Sequence, residues 1–360
     1  MQYAYHQEDL EANLVLGEPG YQGICNLDND IHPIWRRENF RVGDIEEEAR
    51  LLLKNDASWD RDTLPLEQKI YQRIEPGLRL ASLLLQQSGP FFSQVLYGML
   101  QPGRVRRLHP LGEVEQWRIR WVDVLENSLT YLSSDSSVDC PWGETRTQLK
   151  ERSRYAVGIG PSLAQVILQP QWHKCSAQTR RYYNFQLATT LVHELAHVAW
   201  ICRCWDDYLE DPDTAREDEE AILSPSEEQM ELGQSWENWF FGCELRPIET
   251  EDTTPPKWLG YACAPFTQDS GNPLSIQNRN SRYGATAIPA QYINQFLQKE
   301  RWAAHMDGDQ PFSIHLTPLN SLSNDVWHDY LDDGFMTRMT LNHENRIDPA
   351  PSFTDTTLRT

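Results

Sequence analysis

The chain has 360 residues, 39% of them apolar and 11% aromatic, enough for one large domain or two smaller ones. Its 53 acidic against 32 basic residues leave a formal net charge of −21, a balance that repels phosphate backbones and anionic headgroups and so argues against nucleic acid or a membrane surface as partner. No run approaches the roughly 18 apolar residues of a membrane span, and Met1–Asp9 lacks the basic and apolar regions of a secretory leader. The expectation is a cytoplasmic or nuclear protein whose seven scattered cysteines are reduced, with Cys202 and Cys204 serving in packing.

In chain order, residues 1–40 mix Gly, Pro and Asn and read as an irregular arm. Gly43–Asn55 reads as a helix with acids in its first turn. Leu66–Gln87, with Ile70, Ile74, Leu78, Leu80 and Leu83 at helical spacing, reads as helix on either side of Pro76-Gly77, and Phe91–Leu100 as another short helix. Val114–Trp121 alternates apolar and polar residues, the mark of a half-buried strand. Ser133–Val138 is Ser/Asp-rich and suits a loop or a boundary, and Tyr155–Ile159 and Ala164–Leu168 read as two strands. Phe185–Trp200 has no Gly or Pro and is apolar nearly all round, which predicts one buried helix. The acidic stretch from Asp206 to Glu220 reads as a solvated loop, and Pro225–Phe241 as a helix capped by Ser226. Glu244–Asn280, rich in Pro, Thr and Asn, reads as a long loop; Pro289–Met306 reads as helix, and the last forty or so residues show no period. The division expected is a mainly helical region over 1–135, a core domain over 136–315 and an irregular tail over 316–360.

Inside the segment read as a buried helix stands His193-Glu194-Leu195-Ala196-His197. Helical residues four apart share a face, so His193 and His197 can turn neutral imidazoles to one metal ion, with Glu194 on the flank as general base for an attacking water. Two histidines and a glutamate among apolar residues are costly to bury without partners, and one Zn²⁺ per chain would supply them. Catalytic zinc sites take three protein ligands. The continuation Val198–Arg203 offers no third histidine, which leaves Glu228, Glu231 and Glu237 on the segment after it. Glu227 and Glu228 are explained as first-turn acids. Glu231 and Glu237 lie among bulky apolar residues, where a buried acid needs a partner. Glu231 is the favoured ligand, with Gly233 beside it allowing two helix backbones to approach; Glu237 would then orient a ligand histidine, and the reverse assignment stays open. Tyr283, Tyr292 and His305 are candidate oxyanion stabilisers by position.

An HExxH followed by a glutamate on a later helix resembles the gluzincin branch of the zincin metallopeptidases. Thr189–His197, with Glu231-Leu232-Gly233, Trp236-Glu237, Phe241-Gly242 and the later Ala287-Ile288-Pro289 and Tyr292, resembles a large group of uncharacterised fungal zincin-like proteins over about residues 155–305. The chain departs from the thermolysin arrangement, since Ser235 stands four residues after Glu231 where that pattern carries an acid. The resemblance implies an α+β fold: a small mixed sheet, an HExxH helix and a Glu-bearing helix, with a mainly helical N-terminal part. It implies a zinc-dependent peptidase acting on a peptide or protein, whose edge strand beside the zinc helix binds the substrate backbone by strand addition. Gln165–Gln169 is the expected edge strand. The alternatives are a zincin-fold module that keeps the zinc and works through protein contacts, and a zinc hydrolase of a non-peptide amide. Retention of Glu194 argues against the first, because a structural site has no use for a base.

Overall fold

The computed structural model describes residues 25–42, 49–50, 65–98, 100–101, 107–108, 129–132, 143–147, 155–168, 172, 175, 177–204, 220–221, 231–242, 244–249, 258–264, 283–288, 290–306, 325–331 and 334–339. The fold is mixed. A four-stranded sheet takes β1 (Phe40–Arg41), β4 (Leu129–Leu132), β5 (Gly143–Thr147) and β6 (Tyr155–Ile159) in the order β1-β4-β6-β5. The first three in that order run parallel, and β5 lies antiparallel on β6 at the edge. Between β1 and β4 in sequence, β2 (Leu100–Gln101) and β3 (Arg107–Leu108) form a separate two-stranded pair.

Helix α1 (Leu66–Gln87) runs into α2 (Gly89–Tyr97), and after β6 come α3 (Pro161–Ile167) and the long α4 (Ala177–Arg203). Helix α1 continues without interruption through Pro76, where the sequence predicted a break. A proline removes one backbone donor and normally kinks its helix. The amide after the proline finds its acceptor on α4, Gly77 N–H donating to Asn184 Oδ1 at 3.0 Å. Gly77 also permits the approach: a Cβ there would lie 2.8 Å from the Leu187 side chain and 3.1 Å from the Asn184 carbonyl oxygen. Replacing buried Asn184 by Ala is expected to lower unfolding free energy by about 1–3 kcal/mol, since the Gly77 donor loses its partner. Denaturant unfolding checks this; an unchanged midpoint would show that the helix does not depend on that bond.

The strand expected at Ala164–Leu168 is helix α3 instead, so Gln165–Gln169 is not the edge strand. Gly160 is extended and Pro161 sits in the first helical turn, a local start signal. Leu163, Ala164, Val166, Ile167 and Leu168 are all buried, so the single polar residue among them, Gln165, is too little to show a helical period. The edge belongs to β5.

One apolar core runs from Leu27 to Trp302, with Phe185, Leu191, Leu195, Ala196 and Val198 of α4 fully buried inside it. Both α1 and α2 pack on α4, and the first sheet joins β1 and β4 to β5 and β6.

A second, antiparallel sheet has the order β11-β10-β9-β8-β7, from β7 (Glu244–Glu249), β8 (Trp258–Ala264), β9 (Tyr283–Ile288), β10 (Asp325–Leu331) and β11 (Gly334–Met339). Its strands occupy part of the long loop expected at Glu244–Asn280 and part of the irregular tail expected after residue 316. Pro247 disguises β7; a proline is tolerated there because β7 is an edge strand. Strands β10 and β11 pair with each other and, through β10, with β9, a distant partner that leaves no local period. The helix expected at Pro289–Met306 is two, α6 (Ala290–Phe296) and α7 (Lys299–Met306). Of the Gly43–Asn55 helix, Ala49 and Arg50 are described and helical. Val114–Trp121 and Ser133–Val138 lie outside the described residues. Cys25, Cys175, Cys202 and Cys204 form no disulfide, and Cys204 is buried in the core. Among the described residues no helix is long and apolar enough to cross a membrane.

Candidate metal centre

Helix α4 carries His193 and His197 one turn apart, their ring centroids 5.3 Å from each other. The partner element is α5 (Leu232–Phe241). The helix expected from Ser226 thus begins later, and Glu231 is its N-cap, in extended conformation. The Glu231 carboxylate accepts hydrogen bonds from the amides of Gly233, at 3.2 Å, and Gln234. Those first-turn amides and the positive end of the helix hold it in place. From there Oε1 lies 3.2 Å from His193 Nε2 and 2.7 Å from His197 Nε2.

The far side of each imidazole is held as well. Glu237 Oε1 lies 2.9 Å from His193 Nδ1, and its Oε2 accepts from the Leu245 amide of β7 at 2.8 Å. Glu220 Oε1 lies 2.6 Å from His197 Nδ1, and its Oε2 accepts from the Leu232 amide at 2.7 Å. Ionised carboxylates only accept, so both Nδ1 atoms carry protons and donate. In neutral imidazoles this leaves the Nε2 lone pairs facing Glu231 Oε1: three acceptors turned toward one point. Such a group needs positive charge between its members, either protons or a metal ion. His193, His197 and Glu231 each offer one ligand atom, and these atoms all lie within 4.8 Å of one another. Ligands about 2.0–2.1 Å from a tetrahedral Zn²⁺ stand roughly 3.3 Å apart, so the residues fit the ion in donor chemistry and approximate spacing.

The electrostatics agree. Burial alone would depress both imidazoles, but Glu231 and Glu237 around His193, and Glu220 and Glu231 around His197, hold them well above the ordinary histidine value. Burial would raise Glu231, and the two histidines hold it well below the ordinary carboxylate range. The same carboxylates that raise the imidazoles favour any positive charge at this point, so a metal ion would bind there in competition with protons. Burial raises the Glu194 carboxyl above its usual value, partly offset by His197, His193 and the Thr145 hydroxyl. Thr145 Oγ1, on edge strand β5, lies 2.8 Å from Glu194 Oε2 and 3.0 Å from the Glu194 carbonyl oxygen.

Gly233 is required by the close approach of α5 to α4, since a Cβ there would stand 2.2 Å from His193 Nε2 and Cδ2. Gly233→Ala is expected to push His193 out of line and abolish metal retention while leaving the helical circular dichroism largely intact. Metal content by mass spectrometry against wild type checks it; full retention would show that the two helices can part without loss of the site.

The structure brings together five residues singled out in the sequence: His193, Glu194, His197, Glu231 and Glu237. It places Glu231 at the Nε2 atoms and Glu237 behind His193. Sequence reasoning misses Glu220, which reads as the end of a solvated acidic stretch, yet it is 2% exposed. Its one signal is its junction with the apolar Ala221-Ile222-Leu223. Thr145 leaves no signal, being one hydroxyl in a polar strand. Tyr292 packs edge-on against Phe296, centroids 5.1 Å apart, beside the core. Tyr283 opens β9 and His305 lies near the end of α7, and their side chains fall outside what is described.

Fold and site define a chain of mixed helix and sheet with a His–His–Glu group able to hold a metal ion. No family model matches the chain, and no curated protein or solved structure matches it.

Proposed function

We propose that the chain is a zinc-dependent metallopeptidase of the gluzincin type, with a zincin-like core formed by the first sheet, α4 and α5. The observation that carries this reading is the convergence of three acceptors on one point, with Glu194 held just outside them. A bound zinc ion would supply Lewis-acid polarisation of the scissile carbonyl and lower the pKa of water. His193, His197 and Glu231 would hold it, while Glu237 and Glu220 keep both Nε2 lone pairs directed inward. Glu194 would take a proton from the attacking water and return it to the leaving amine. Its raised carboxyl suits both halves of that transfer. Strand β5 ends the first sheet beside Glu194, with no further strand paired outside it among the described residues. An extended peptide could add there by backbone hydrogen bonding, which favours peptide over other amides as substrate.

The test is metal content by mass spectrometry on wild type and His197→Ala, followed by a peptide-library cleavage screen. About one zinc ion per chain, lost in the variant, with metal-dependent cleavage in the screen, is the expected result. A well-folded wild type that takes up no zinc when it is supplied would overturn the reading.

A further inference from the structure

General-base catalysis at this centre requires that Glu194 sit beside the metal group without joining it. Helix geometry alone does not secure this, because a glutamate has three side-chain torsions and its carboxylate can sweep several ångströms. The backbone of α4 places the Glu194 Cα; the end of the side chain needs its own anchor. Among the described residues the hydrogen-bond donor found at that carboxylate is Thr145 Oγ1, 2.8 Å from Oε2 and 3.0 Å from the carbonyl oxygen of the same residue. Thr145 reaches it from a different element, the edge strand β5, where it pairs with Val157 of β6.

We propose that Thr145 is a positioning residue for Glu194, its hydroxyl tying one carboxylate oxygen to the edge strand so that the other is presented to the reacting water. The proposal rests on the hydrolase reading. Several observations favour it over a packing role. The threonine is only half-buried, so its methyl group contributes little to the core. The carboxylate it meets is 7% exposed, and a buried acid with one oxygen fastened has few other ways to turn. The hydroxyl has one proton to give, and the shorter of its two contacts is to the carboxylate, with the Glu194 carbonyl oxygen as the competing acceptor, so the bond ties the carboxylate to the strand. A consequence follows for catalysis: backbone bonds of an added substrate strand and the placement of the base would depend on the same short strand. Any shift of β5 on substrate binding is felt at Glu194.

The experiment compares wild type, Thr145→Val and Thr145→Ser in their zinc-loaded forms. Valine keeps the shape and removes the hydroxyl; serine keeps the hydroxyl and removes the methyl. Three readouts are taken: metal content, kcat and KM on a peptide found by the cleavage screen, and crystal structures showing the Glu194 carboxylate. Thr145→Val is expected to keep its zinc and lower kcat about 10- to 100-fold with KM little changed, and its Glu194 carboxylate to leave the wild-type position. Thr145→Ser is expected to restore kcat to within a few-fold of wild type and to return the carboxylate. The idea is overturned if the valine variant keeps both kcat and the carboxylate position, or if serine is as impaired as valine. If valine misfolds, the serine variant and its structure decide alone: a serine hydroxyl bonded elsewhere, with Glu194 unmoved, sinks the proposal. Absence of turnover in zinc-loaded wild type would instead refute the hydrolase reading, and the crystallographic comparison would still decide whether Thr145 places the carboxylate.

Discussion

Glu194→Gln is expected to keep its zinc and to lose peptide cleavage by about 10²–10⁴-fold or more. The ligand atoms converge from His193, His197 and Glu231, and Glu194 is outside that group, tied at Oε2 by Thr145. Glutamine has nearly the same shape, so packing around α4 is preserved, and Thr145 can still donate to the amide oxygen. Only the proton acceptor is lost. Metal content by mass spectrometry and kcat on one screened peptide are measured together, because the pair separates the possible roles. Zinc retained with turnover lost assigns the base. Zinc lost would mean that Glu194 supports the metal group directly. Turnover unchanged would remove Glu194 from the mechanism.

The second large effect concerns the three glutamates around the histidines, which carry different duties in spite of equal charge. Glu231→Gln is expected to weaken zinc binding by more than about 100-fold, because it removes the only anionic ligand from the group. Its amide oxygen can still cap α5, so the helix should persist. Glu220→Gln and Glu237→Gln are each expected to weaken binding by about 10- to 100-fold, the usual effect of releasing a ligand imidazole from the group behind it. A competition titration against a chromophoric chelator ranks the three. Equal losses across the set would contradict the division of roles, and wild-type affinity in Glu231→Gln would exclude that residue as a ligand. Of the two outer acids, Glu220 should matter at least as much as Glu237. It holds His197 at 2.6 Å and also fastens the amide of Leu232, which opens the helix that Glu231 caps.

Much of the candidate site is legible in the residue order, for a physical reason particular to helices. The spacing of His193 and His197 is a local property: four residues along an α-helix return to the same face whatever the rest of the chain does. Glu231 and Glu237 are legible less directly, as acids stranded among bulky apolar residues. Glu220 is legible hardly at all, because its neighbours on the N-terminal side are acids of a stretch whose simplest reading is solvent. The edge strand is misplaced in the sequence reading for the same kind of reason. Ala164–Leu168 is almost wholly buried, and an apolar segment of that kind shows neither the strand period nor the helical one. Pro76 misleads in the opposite sense: the rule for isolated helices is sound, but α4 supplies an acceptor for the Gly77 donor and the helix carries on.

What the amino-acid order determined by itself is therefore what depends on neighbours in sequence: a buried central helix, a pair of imidazoles on one of its faces and a glutamate beside them. What only the tertiary structure decided is everything that needs two distant segments to meet. Glu220 stands behind His197, Thr145 reaches Glu194 from a strand 49 residues away in sequence, and Gly233 clears the space into which His193 projects. The division has one cause. A helical period repeats every few residues and is written in side-chain order, whereas the partner that neutralises a buried charge is chosen by chain folding and leaves no pattern until the two surfaces touch.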